Sequence, residues 1–130
     1  MRQEIKGEGT GEAISHYTDA VRFGDLLFIS GVMPVDAAGK VVGGGDVVAQ
    51  VRQVFRNMNA ILKAAGCSFA DVLKVTVYLT DVADRPKINP VRQEVFGKTR
   101  PASTLIGVKE LALPGMKVEI DAVAGLKAKG

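Results

Sequence analysis

Two stretches decide the fold, Arg100-Pro101-Ala102-Ser103-Thr104-Leu105-Ile106-Gly107-Val108 and Lys117-Val118-Glu119-Ile120-Asp121-Ala122-Val123-Ala124. Both read as strands, and each is taken as the other's pairing partner. Successive strand residues point to opposite faces. In the first stretch Ser103, Leu105 and Gly107 therefore share one face, and Ala102, Thr104, Ile106 and Val108 the other. In the second, Val118, Ile120, Ala122 and Ala124 form an apolar face and leave Glu119, Asp121 and Val123 opposite. A strand side with two carboxylates is either a solvated surface or a functional site, and alternation alone does not separate the two.

Upstream, Gly43-Gly44-Gly45 leads to Asp46, a good N-cap, and then to Val47, Val48, Val51, Val54, Phe55, Met58, Ile61, Leu62 and Ala65 at helical spacing. Gly66 stands where a left-handed cap closes this long helix. The glycine triplet is not a phosphate cradle, because no Lys-Ser/Thr follows it. Val72 to Thr80 is rich in β-branched residues and reads as a central strand. Ile88 to Phe96 reads as a shorter helix carrying Asn89, Arg92 and Glu94, with Pro90 in its first turn. Tyr17 to Arg22 and Leu26 to Ser30 flank Gly24-Asp25 as a hairpin. Residues 1–15, polar and punctuated by Gly7, Gly9 and Gly11, read as a tail and turn.

The order β-β-α-β-α-β-β predicts an α+β fold, one sheet with both helices on one face. On this reading the uncovered face carries much of Leu27, Ile29, Val75, Val77, Ile120 and Ala122. That is too much apolar area for a monomer to expose, so a closed oligomer is expected.

A chain of 130 residues holds one compact domain, here residues 1–130. Its 17 basic and 14 acidic residues are dispersed, without the like-charge run of a nucleic-acid arm. One cysteine, Cys67, cannot form an internal disulfide, and no Cys/His cluster has zinc-ligand spacing, so a cytoplasmic protein without a metal is expected. No apolar run approaches the ~20 residues that span a bilayer.

An ordered set of residues carries a resemblance. Tyr17, Ser30-Gly31-x-x-Pro34, Asn57, Ala64-Ala65-Gly66, Asp71-Val72-x-Lys74-x-Thr76-Val77-Tyr78, Asn89, Pro101-Ala102 and Val118-Glu119-Ile120 together resemble the RidA/YjgF family of reactive intermediate deaminases. The resemblance implies a chorismate-mutase-like fold and a homotrimer whose sheets close into a barrel, with a small-molecule cleft at each subunit interface. It also implies hydrolysis of imines and enamines to 2-keto acids and ammonia, without metal or cofactor. Some members were first described as endoribonucleases or translation inhibitors. Here the dispersed charge and the lack of an aromatic platform make nucleic acid an unfavoured partner.

Carried over by position, the resemblance assigns Glu119 to hold the attacking water. It places Tyr17, Ser30, Gly31, Asn89, Ser103 and the following Thr104 at the substrate. The chain departs from the pattern at Ser103, where relatives carry the arginine that grips the substrate carboxylate. A hydroxyl offers one neutral donor in place of a charged fork, so a substrate other than simple 2-imino acids is expected. Val32 and Ser15-His16 are lesser departures. Arg92, three residues after Asn89 on one helix face, is the candidate for a relocated cation. Arg100 tends to the opposite strand face from Ser103. A Ser103-His16-carboxylate triad lacks the glycine-flanked elbow of a serine hydrolase. An enzyme and a non-catalytic trimer that binds a metabolite both remain open.

Overall fold

The computed structural model describes residues 1–127. The elements in chain order are β1 (Arg2–Ile5), β2 (Ala20–Phe23), β3 (Leu26–Val32), α1 (Val47–Ala64), β4 (Val72–Leu79), α2 (Arg85–Phe96), β5 (Ala102–Gly107) and β6 (Val118–Gly125). The six strands form one sheet in the order β1-β2-β3-β6-β4-β5, and α1 and α2 pack together. Among the described residues no helix is long and apolar enough to cross a membrane.

Local chemistry accounts for both ends of α1. The Asp46 carboxylate accepts from the N–H groups of Val48 at 2.9 Å and Ala49 at 3.3 Å, satisfying two of the donors that a helix start leaves free. At the other end Gly66 has φ of 77°. The N–H of Cys67 donates to the Leu62 carbonyl at 2.8 Å, and that of Gly66 to the Lys63 carbonyl at 3.0 Å. This paired closure needs a left-handed residue, which glycine supplies without strain. Between the caps, Val51, Val54, Met58 and Leu62 are fully buried against the sheet.

Four features differ from the sequence reading. Residues 2–5 are not tail: Arg2↔Phe23 through Ile5↔Ala20 pair antiparallel, so β1 extends the sheet. α2 begins at Arg85 with Pro86 in its first turn, which leaves Pro90 inside the helix on an exposed position. There it removes a single hydrogen bond where water is at hand.

The third difference is pairing. β5 lies beside β4 in parallel, with Val75↔Ser103 and Thr76↔Thr104, and β6 runs antiparallel between β3 and β4. Parallel neighbours require a crossover of a dozen or so residues, and α2 provides it. β6, alternating cleanly between apolar and polar sides, is paired along both edges.

The fourth is which face the helices cover. Leu27, Ile29, Val75, Val77, Ile120 and Ala122 are all buried beneath α1 and α2 in the hydrophobic core. The open face carries instead Phe28, Val123, Asp121, Thr76, Tyr78 and Glu119, whose cross-strand pairs are Phe28↔Val123, Thr76↔Asp121 and Tyr78↔Glu119. An 18-residue helix with a continuous apolar stripe takes the more apolar side. Exposed Phe23, Leu26, Phe28 and Ile106 still leave the open face an apolar character at its margins.

Buried polar side chains of α1 fix the loops that frame the sheet. Gln50, fully buried, donates to the Gly115 carbonyl at 2.8 Å and accepts from the Lys117 N–H at 2.7 Å. Asn57 donates to the carbonyls of Met33 at 3.1 Å and Val35 at 2.9 Å. Gln50→Leu strands two backbone groups, each worth roughly 1–3 kcal/mol when buried without a partner. Urea unfolding is expected to show a loss in at least that range.

Candidate functional site

The site begins with a register shift. Ile29 pairs with Ala122 and Val32 with Ile120, so three steps along β3 match two along β6. The extra residue is a β-bulge, which bends a strand and re-aims side chains. Ile29 and Val32 both stay buried, while Ser30 and Gly31 are both left outside the core.

Gly31 faces Glu119. A β-carbon built on Gly31 overlaps the Glu119 carboxylate, so only glycine lets that carboxylate lie against the β3 backbone. Around the pair, Ile14, Ser15, Tyr17, Ser30, Met33 and Ala112 complete a cleft of about 260 Å³. The Ser30 hydroxyl donates to the Thr18 carbonyl at 2.6 Å, and its N–H to the Asp19 carbonyl at 2.9 Å, which ties the 14–19 segment to the bulge. Asp19 anchors the preceding loop in turn, accepting from Gly7 N–H at 2.9 Å, Thr10 Oγ1 at 2.8 Å and Lys6 Nζ at 3.3 Å.

Burial is the main cause that pushes the Glu119 carboxyl above the usual carboxylate range, and the charge of Asp121 on the same strand face adds to it. Asp121 accepts a hydrogen bond from the Tyr78 hydroxyl at 2.9 Å. That bond raises the Tyr78 hydroxyl above its ordinary value, with burial and the two carboxylates acting in the same direction. A carboxylate whose proton affinity is raised, beside a cleft, is suited to take up a proton as a general base.

The structure gathers Tyr17, Ser30, Gly31 and Glu119 and leaves the other expected residues apart from them. Ser103 pairs with Val75 and so points to the helix side, opposite to Glu119. There its Oγ accepts from the Arg92 guanidinium at 2.8 Å. Arg92 is half-buried, and that burial lowers its pKa. Asn89 is exposed on α2. Thr104 faces the open side, where its Oγ1 accepts from Lys74 Nζ at 2.6 Å. Arg100 is exposed in the turn before β5. His16 is exposed, and Ser103 is bonded to Arg92 rather than to it, so no Ser103-His16 pair exists.

Ile14, Met33, Ala112 and Tyr78 were not anticipated. The Tyr78 partnership was legible in principle, since alternation along β4 and β6 places Tyr78, Glu119 and Asp121 on one face. The three cleft residues come from loops whose paths no sequence period records.

A family profile described as Endoribonuclease L-PSP matches residues 9–126. The chain belongs to the RidA/YjgF family. It is 40% identical over 126 residues to a 2-iminobutanoate/2-iminopropanoate deaminase of Homo sapiens, covering 95% of this chain and 90% of that protein. To the 3-aminoacrylate deaminase RutC of Acinetobacter baylyi it is 37% identical over 123 residues, covering 95% and 97%. The crystal structure of E. coli TdcF with bound serine superposes with a TM-score of 0.88 at 32% identity, covering 96% of this chain and 99% of that one. The RidA/YjgF fold is thus shared along nearly the whole chain, with the bulge and Glu119 inside the matched region.

Because the carboxyl of Glu119 binds its proton more tightly folded than unfolded, its ionisation opposes folding. That opposition is complete above the folded pKa and vanishes below the unfolded one. Wild type is therefore expected to gain stability relative to Glu119→Gln as pH falls from above the raised folded pKa toward the ordinary carboxylate range, in paired urea titrations. A difference that stays flat across this window removes the raised proton affinity.

Proposed function

We propose that this protein hydrolyses a small reactive imine or enamine to a carbonyl compound and ammonia, with Glu119 holding and deprotonating the attacking water. The observation that carries the reading is the Glu119 carboxylate, half-buried over Gly31 in a cleft, in a chain whose relatives include proteins named for imine and aminoacrylate deamination. Tyr17, Ser30 and Gly31 form the wall against which the substrate rests.

The chemistry balances without an external redox partner. Water adds its oxygen to the C=N carbon, one of its protons passes by way of Glu119 to nitrogen, and the other stays on the new hydroxyl until ammonia leaves, when it passes by the same route to the departing nitrogen. The resulting carbinolamine loses ammonia when the C–N bond breaks and the hydroxyl closes to C=O. An enamine first takes a proton on carbon to become the imine, and a carboxyl with raised pKa can carry that proton as well. Residue 103 contributes only one neutral hydroxyl, so the preferred substrate is other than the simple 2-imino acids.

Assembly belongs to the same reading. The open face carries exposed Phe23, Leu26, Phe28 and Ile106 around its polar centre. Burying them at roughly 25 cal/mol per Å² favours association, and a closed homotrimer with clefts at its interfaces is the arrangement the family resemblance implies. Light scattering at micromolar concentration is expected to give the trimer mass, and a monomer rejects the assembly.

Ammonia release from freshly generated 3-aminoacrylate and 2-iminopropanoate tests the reaction. Glu119→Gln is expected to lose ~100-fold or more in kcat while keeping its circular dichroism spectrum. Equal rates in the two proteins take Glu119 out of the mechanism. No release by wild type from either substrate leaves a metabolite-binding protein.

A further inference from the structure

The open face of the sheet holds a phenol that the cleft itself does not use. Tyr78 on β4 stands directly across from Glu119 on β6, and Thr76 directly across from Asp121. Glu119, Asp121 and Tyr78 thus share one face within a single pair of strands. Directly opposed side chains have β-carbons roughly 4.5–5.5 Å apart, and diagonal neighbours stand roughly 7–8 Å apart. Yet the Tyr78 hydroxyl passes its directly opposed carboxylate and donates to the diagonal one, Asp121 Oδ2, at 2.9 Å. This bond is the main cause that raises the Tyr78 pKa, so the phenol stays a donor.

The consequence falls on Glu119. Among the described residues no donor is bonded to its carboxylate and no cation lies within 4 Å of it, so burial and the charge of Asp121 are what act on its proton. The other elements around it add no counter-charge. β3 presents Ser30 and Gly31, the 14–19 segment Tyr17, and the β5–β6 loop Ala112. The Ser30 hydroxyl is committed to the Thr18 carbonyl, His16 is exposed, and Lys117 reaches away to Asp84 at 3.6 Å. A carboxylate without protein donors keeps both oxygens for water. A phenol bonded to it would stabilise the ionised form and make it a weaker base.

We infer that Asp121 and Tyr78 are positioning residues that act through Glu119: Asp121 captures the hydroxyl that stands across from the base, keeping the base free of a protein donor, and sets a negative charge beside it. This rests on the reaction proposed above and adds to it a pair of residues outside the cleft.

A series of variants separates the charge from the captured hydroxyl. Titration of Glu119 is read from its carboxyl 13C NMR resonance, identified by its loss in Glu119→Gln. Asp121→Asn keeps an acceptor for Tyr78 and removes the charge alone. Asp121→Ala also frees the hydroxyl to turn to Glu119, and adding Tyr78→Phe takes that hydroxyl away. The midpoint is expected to be highest in wild type, lower in Asp121→Asn and in Asp121→Ala/Tyr78→Phe, and lowest in Asp121→Ala. A packing role alone would not reverse on adding a second deletion. Equal midpoints in wild type and Asp121→Asn overturn the effect of the charge, and this near-isosteric variant decides that half even where Asp121→Ala fails to fold. Equal midpoints in Asp121→Ala and the double variant overturn the capture of the hydroxyl.

Ammonia release from 3-aminoacrylate is expected to follow the same series. Asp121→Ala should lose ~10-fold in kcat with its acid limb moved to lower pH, and the double variant should recover part of that loss. Release by Asp121→Ala at the wild-type rate overturns the positioning role. The expected order of midpoints in a wild type that releases no ammonia sinks the reaction and supports the arrangement around Glu119.

Discussion

The single extra residue of β3 opposite β6 is the constraint on which the site depends. In an unbroken ladder, period-two alternation would send Ser30 outward, Gly31 into the core and Val32 outward. With the insertion, Ile29 and Val32 both remain under the helices and Ser30 and Gly31 both stand outside. The core is undisturbed, and a stretch of backbone without a β-carbon is presented to β6 at the point where Glu119 emerges. Burial of the carboxylate follows from that contact, and its raised proton affinity follows from the burial. One backbone irregularity thus links packing to acid-base chemistry.

Such a carboxylate is held against its own preference for water, and the surrounding polar network supplies the restraint. Ser30 is bonded to the carbonyls of Thr18 and Asp19, and Asp19 gathers Lys6, Gly7 and Thr10. On the other flank Gln50 pins Gly115 and Lys117, two residues before Glu119. Loop segments on both sides of the cleft are therefore tied to α1 or to β3 by buried or half-buried hydrogen bonds. Loops fixed in this way can exclude water from a charged group without a large apolar lid.

What the sequence made legible was local. Asp46 and Gly66 announce the ends of α1 because capping is chemistry between near neighbours, and the alternation of β6 correctly separates Glu119 and Asp121 from Ile120 and Ala122. Pairing was not legible, because nothing local tells Ser103 that its neighbour is Val75 rather than a residue of β6. Nor was the covered face, since Leu26-Leu27-Phe28-Ile29 is apolar at every position and carries no period. β1 is too short and polar to show itself before β2 is there to pair with it. At the site, the ordered resemblance brought Tyr17, Ser30, Gly31 and Glu119 together. It could not show that Ser103 and Arg92 meet on the far side of the sheet, because that depends on the crossover through α2.

The separation of Glu119 from Arg92 within one chain has a chemical consequence. An arginine beside Glu119 in the folded monomer would stabilise the carboxylate and pull its pKa down, cancelling the effect of burial. It would also occupy the guanidinium, leaving no free donors for a ligand. By placing the two on opposite faces, with β4 between them, the fold keeps the carboxyl's raised proton affinity and leaves the guanidinium without a carboxylate partner among the described residues.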